Sequence, residues 1–114
     1  MRFDRASRLR RRREILAVQQ RGRRLHAGDL VVLALDSGQG RPRLGVTVSS
    51  RVANAVGRNQ VKRWVREAFR SVAAELPPVD LVVIARPGAV RLGAGGARAA
   101  LAAARDGLRR EAAP

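Results

Sequence analysis

Gly57-Arg58-Asn59-Gln60-Val61-Lys62-Arg63-Trp64-Val65-Arg66-Glu67-Ala68-Phe69-Arg70 superimposes two patterns on one stretch of chain. Apolar side chains at Val61, Trp64, Val65, Ala68 and Phe69, continuing at Val72 and Leu76, recur at the spacing of a helix with one buried face. Basic side chains at Arg58, Lys62, Arg63, Arg66 and Arg70, with Asn59 among them, fall in the neighbouring sector at about 100° per residue. The stretch predicts a helix that turns one side to a core and offers a row of cations beside it. Such a helix is suited to holding a polyanion. Asn54 is placed to cap its start, and Pro77-Pro78 to stop it after Leu76.

Outward from this helix, Arg8 to Arg21 reads as a short first helix, with Leu9, Ile15, Leu16 and Val18 apolar and Gly22 as its stop. Leu30 to Leu35 is rich in aliphatic and β-branched residues and reads as a strand. It ends at the turn cluster Asp36-Ser37-Gly38-Gln39-Gly40. Leu44 to Ser49 alternates apolar with small or polar residues, as a half-buried strand does. These two strands are expected to form a hairpin with a longer loop. Asp80 to Ala85 is a compact apolar strand closed by Pro87-Gly88. Gly93 to Gly96 then leads into a last helix with Ala97, Leu101, Ala104 and Leu108 on one face. The order is α-β-β-α-β-α, with room for one more strand before the central helix, written α-β-β-(β)-α-β-α. It predicts a two-layer α/β (α+β) sandwich. Without repeats or linkers, residues 1–114 are expected to form one domain.

The chain carries a net charge of +15, and of its 24 basic residues all but Lys62 are arginine. A charge of this size repels itself and attracts anions, and arginine offers a planar fork that grips phosphate oxygens in pairs. The N-terminus has charges where a signal peptide would have its apolar region. The apolar runs Leu30–Leu35 and Leu81–Ala85 fall far short of the roughly 20 residues that span a bilayer. A cytoplasmic protein without a membrane partner is the expectation. No cysteine is available for disulfides or thiolate metal sites.

Protein-borne catalysis needs a nucleophile, an acid–base pair or a metal cage. His26 is the single histidine and sits in a short polar connector. Nine carboxylates are scattered, mostly beside arginines, and Asp29 and Asp36 merely flank a strand. Gly93 to Gly96 lacks the Lys-Ser/Thr of a phosphate loop. No catalytic residue and no metal ligand is expected. Base-stacking RNA modules rely on exposed aromatics, but two of the three aromatics here, Trp64 and Phe69, lie on the apolar face of the central helix. Helix-turn-helix readers need two adjacent helices. Phosphate recognition on a structured RNA fits best; a ribosomal or RNA-chaperone protein and a DNA-binding regulator remain as alternatives.

The chain resembles the bacterial ribonuclease P protein family. Asn54-Ala55-Val56 followed by Arg58-Asn59, Lys62-Arg63, Arg66 and Phe69-Arg70 is similar to the family's signature on its basic helix. Arg43 to Ser49 resembles its R-V-G-x-x-V-S strand, Asp80 to Arg86 its later D-x-x-x-x-A-R strand, and Leu9 to Gly22 its first helix. The resemblance covers nearly the whole chain. It implies a basic subunit that assists a catalytic RNA in removing the 5′ leader from precursor tRNA. Phosphodiester hydrolysis would be carried by the RNA with divalent metal ions, normally magnesium, bound mainly by that RNA, with no small-molecule substrate. It also implies a left-handed β-α-β crossover around the signature helix. By the family pattern Arg58, Asn59, Lys62, Arg63 and Arg66, with Arg51 and Arg70, would face the RNA subunit. The leader would lie in a cleft between the first helix and the sheet, at Ile15, Gln19, Leu33 and Thr47. Three departures stand out: Gln60 replaces the second Arg of R-N-R, Ser50-Arg51-Val52-Ala53 replaces K-K-x-G, and the cleft positions carry no aromatics.

Overall fold

The computed structural model describes residues 8–38 and 40–112. The chain runs α1 (Arg12–Arg21), β1 (Arg23–Ala27), β2 (Leu30–Asp36), β3 (Arg43–Thr47), α2 (Ala55–Val72), β4 (Val79–Ala85) and α3 (Gly93–Ala112). Single 3₁₀ turns follow α2 at Ala73–Glu75 and β4 at Pro87–Arg91. This is the expected order with the additional strand present. The N-terminal stretch 1–7 and Gln39 of the turn cluster lie outside the described residues.

The sheet order is β1-β2-β4-β3, with β2 antiparallel to both β1 and β4 and β3 parallel to β4. The expected hairpin between Leu30–Leu35 and Leu44–Ser49 is therefore not formed, because β4 lies between those strands. The reason is in β4 itself. Its Val79-Asp80-Leu81-Val82-Val83-Ile84-Ala85 run does not alternate, and it is buried on both faces. A strand of that kind stabilises most at the centre of a sheet. The hairpin partner of β2 is instead β1, joined through Gly28-Asp29 with Gly28 at φ 65°, as primed hairpin turns require. His26 thus lies in a strand and not in a connector.

One face of the sheet carries the main core. Val61, Val65, Ala68, Phe69 and Val72 of α2 and Ala97, Leu101, Ala104 and Leu108 of α3 pack on Leu30, Val32, Leu81 and Val83. Each fully buried Phe, Leu or Val among them contributes about 1.5–3 kcal/mol. The helical pattern in the quoted stretch is borne out, with Trp64 half-buried at the margin of this core. Asn54 caps α2 as expected, its Oδ1 accepting from the Gly57 N–H at 2.9 Å.

The opposite face is covered by the short α1, where Val18 joins Leu9 and Val82 in a smaller cluster flanked by Ile15, Leu33, Leu35 and Ile84. α1 begins at Arg12 rather than Arg8. Arg8 and Leu9 run extended beside β3, with the Leu9 N–H donating to the Leu44 carbonyl at 2.8 Å. Burial of Leu9 in the extended segment beside β3 favours this shorter helix. Gly22 ends α1 by close approach: a Cβ there would sit 2.4 Å from the Val18 carbonyl oxygen.

Arg43 ties the layers together. Its Nε and Nη2 donate to the two carboxylate oxygens of Asp80 at 2.8 Å each, and Nη2 also donates to Glu14 Oε2 at 3.0 Å. Asp80, the buried charged residue of the core at 6% exposure, is thereby satisfied. These hydrogen bonds, chiefly that to Asp80 and against the opposing effect of burial, hold the Arg43 guanidinium above its ordinary pKa. One side chain so links α1, β3 and β4, and it is a structural arginine.

Candidate nucleic-acid interface

α2 fixes its cations by burying the adjacent face. From Arg58 to Arg70 the basic side chains rise over about 18 Å and occupy about 140° of the helix circumference. Arg58, Lys62, Arg66 and Arg70 are half-buried beside the core, whereas Asn59 and Arg63 stand fully outward. Half-burial suits long cationic side chains, whose methylene stems lie on apolar surface while the heads reach solvent. The six stripe residues expected from the sequence are therefore not equivalent.

Arg58 Nη1 donates to the Ala53 carbonyl at 2.9 Å, which orients its guanidinium at the helix start. Arg63 pairs with Glu67 at 3.1 Å across one turn, and the Arg63 side chain is 78% exposed. A pair so open contributes at most a few tenths of a kcal/mol, so a phosphate displaces Glu67 at little cost. Arg70 is more enclosed than its place in the pattern suggested: its Nε is buried and has no hydrogen-bond partner. Arg51 stands exposed on the turn that precedes α2. Gln60, also exposed, lies beyond the stripe on the far side of Arg63.

On the other side of the sheet, three of the four cleft residues come together. Ile15, Gln19 and Thr47 line a depression of about 330 Å³ between α1 and β3, together with Arg10, Arg12 and Leu16. Leu33 does not line it and packs instead on the cluster of Leu9, Val18 and Val82 beneath. Arg10 and Arg12 were missed as cleft residues, since the run Arg10–Arg13 carries no periodicity that separates a lining side chain from a solvated one. The larger depression at Arg23, Pro77 and Leu108, about 450 Å³, is of different character. There Arg23 is paired with Glu111 at 2.7 Å and Asp36 at 3.7 Å, so its charge is already matched.

Among the described residues no group of three His, Cys, Asp or Glu side chains is placed to hold a metal ion. No helix among them is long and apolar enough to cross a membrane. A rigid α+β frame with an arginine-rich helix face and an arginine-rimmed cleft defines a class, that of small basic proteins that bind nucleic-acid phosphates.

Comparison with known proteins narrows the class. The family model described as Ribonuclease P matches residues 3–108. The ribonuclease P protein component of Gluconacetobacter diazotrophicus is 48% identical over 88 residues, 75% of this chain and 76% of that protein. The RNase P protein structure from Thermotoga maritima is similar with a TM-score of 0.76 at 34% identity, covering 90% of this chain and 96% of that one. That from Staphylococcus aureus has a TM-score of 0.77 at 25% identity, covering 93% and 94%. The chain belongs to the ribonuclease P protein family. It acts as the RNA-binding protein subunit of this tRNA-processing endoribonuclease.

Proposed function

We propose that α2 is the docking face for the catalytic RNA subunit, and that the α1–β3 depression receives the 5′ leader of precursor tRNA. The observation that carries this is the row of cations on a helix whose adjacent face is locked in the core. Arg58, Asn59, Lys62, Arg63 and Arg66, with Arg51 before the helix and Arg70 at its end, meet RNA phosphates and ribose without needing to reorganise the backbone. Ile15 and Thr47 offer an apolar floor for a leader nucleotide, Gln19 a hydrogen-bonding group, and Leu33 supports the floor from below.

Magnesium belongs to the RNA subunit in this reading. The protein's described side chains do not fit a divalent-cation cage, and the arginine face fits the phosphates that surround such ions. The protein's part is to neutralise charge so that two RNAs approach each other, in the cytoplasm, as one domain spanning residues 1–114.

Reconstitution with a ribonuclease P RNA, followed by a 5′-leader cleavage assay at low magnesium, tests the proposal. Replacing Arg58, Lys62 and Arg66 together with Ala is expected to weaken RNA binding strongly. The dependence of log K on log salt should also become shallower by about 2–3. Unchanged cleavage and an unchanged salt slope in that variant would overturn the assignment of this face.

A further inference from the structure

The stripe and the leader depression lie on opposite faces of the sheet, and β3 is the edge strand between them. At that edge is a second, smaller depression of about 140 Å³. Arg66 reaches it from α2, and Arg8 and Arg10 reach it from the extended segment before α1; Leu9 and Ile15 form apolar walls. Gly45 contributes backbone without a side chain. No carboxylate is among its lining residues.

Its size selects the ligand. At about 30 Å³ per water molecule it holds roughly five waters, well below the roughly 300 Å³ at which drug-sized ligand pockets begin. A nucleoside does not fit, whereas a single tetrahedral anion does. Its charge selects the same ligand. Burial, and then the nearby charge of Arg8, hold the Arg66 guanidinium below its ordinary pKa. These are the effects expected where like charges are drawn together around a space for an anion.

We propose that Arg66, Arg8 and Arg10 form a receptor for one RNA backbone phosphodiester at the β3 edge. It shares Arg10 and Ile15 with the leader depression, so a leader lying there delivers a phosphate into it. This rests on the reading of that depression as the leader cleft. Arg66 then serves the junction between the two RNA surfaces and is not simply one more contact to the RNA subunit.

The full-length protein titrated with inorganic phosphate at constant ionic strength, followed by ¹⁵N-edited NMR, tests the pocket directly. The Gly45 amide and Arg66 Nε resonances should shift saturably, and Arg66→Gln or Arg10→Gln should weaken that binding about tenfold, the loss of one charge-assisted contact. Arg98→Gln, the same charge change on exposed α3, should not. A second arm uses the reconstituted holoenzyme and precursor tRNAs with one uncharged methylphosphonate linkage at successive leader positions. At one position the neutral linkage should weaken wild-type substrate binding about tenfold and Arg66→Gln not at all, because the contact is already gone. If no leader position couples but Arg66→Gln weakens assembly with the RNA subunit by that factor, the phosphate comes from the RNA subunit and the pocket stands. Static Gly45 and Arg66 resonances, or equal weakening by Arg98→Gln, would overturn it. Should wild-type holoenzyme not cleave precursor tRNA, the functional reading fails while the NMR arm still decides the pocket. Arg10, being exposed, supplies a variant that folds if Arg66→Gln does not.

Discussion

At the scale of single residues, arginines that look alike in sequence do different work. Arg43 is consumed by Asp80 and Glu14 within the protein. Asp80→Asn leaves its guanidinium half-buried with one acidic partner lost, and should cost about 2–3 kcal/mol, somewhat less than breaking a fully buried pair. Thermal unfolding should show the midpoint falling by roughly 10 °C or more; an unchanged midpoint would rule out an anchoring role. Arg70 behaves oppositely. Its Nε is buried without a partner, and leaving a buried donor unmade costs about 1–3 kcal/mol. Arg70→Met is therefore expected to raise the midpoint by a few degrees while weakening RNA binding, since Met keeps the long stem and removes the donor. A fall in both quantities would show that Arg70 is held by contacts with the fold. Arg43 and Asp80 were each legible as parts of family-like strands. Their pairing was not, because it depends on β3 and β4 being neighbours, and these strands are separated by a whole helix.

At the scale of elements, α2 was readable from residue order alone because both its patterns obey one period, and its cap fell at Asn54. The α-helix itself ends sooner than expected, at Val72, and the 3₁₀ turn Ala73–Glu75 takes up the distance to the proline pair. β1 was not. Arg23-Arg24-Leu25-His26-Ala27 has little β propensity, and its charges are those of an edge strand protected from pairing further. The signal available was Gly28-Asp29 between it and β2, a dipeptide that marks hairpins. The hairpin assigned to β2 and β3 failed for a related reason: local alternation identifies strands, while their neighbours are chosen by which strand most needs both faces covered. The family resemblance placed Ile15, Gln19, Leu33 and Thr47 at one cleft, and three of them line it while Leu33 packs beneath. It could not show that this cleft and the α2 stripe lie on opposite faces. α2 also carries a prediction of its own. Gln60 is exposed next to the stripe, so Gln60→Arg widens the cationic face without disturbing the core. It should steepen the salt dependence of RNA binding by about one counterion, close to 0.7–0.9 in slope, with little change in thermal midpoint. Salt titration of binding measures the first and calorimetry the second; an unchanged slope would place position 60 outside the RNA footprint.

At the scale of the molecule, charge and compactness oppose each other. A net +15 on 114 residues raises the free energy of the folded state by self-repulsion, and the described ion pairs relieve it unevenly. They gather where Glu75 meets Arg105 and Arg109, where Arg23 meets Glu111, and where Arg43 meets Asp80. The α2 stripe receives less compensation, its one described ion pair being the exposed Arg63 with Glu67. Multivalent anions should therefore stabilise the free protein by occupying that surface, beyond what general screening does. An anion at ten times its dissociation constant contributes about 1.4 kcal/mol through mass action, which for a domain of this size raises the midpoint by roughly 5–8 °C. Sulfate and sodium chloride compared at equal ionic strength separate site occupancy from screening, because the Debye length is then the same. Sulfate should raise the midpoint saturably and chloride only slightly. The sulfate increment should shrink in the protein lacking Arg58, Lys62 and Arg66. Equal effects of the two salts would mean that the charge excess is relieved by ionic atmosphere alone, and that the cations of α2 do not act as discrete anion sites.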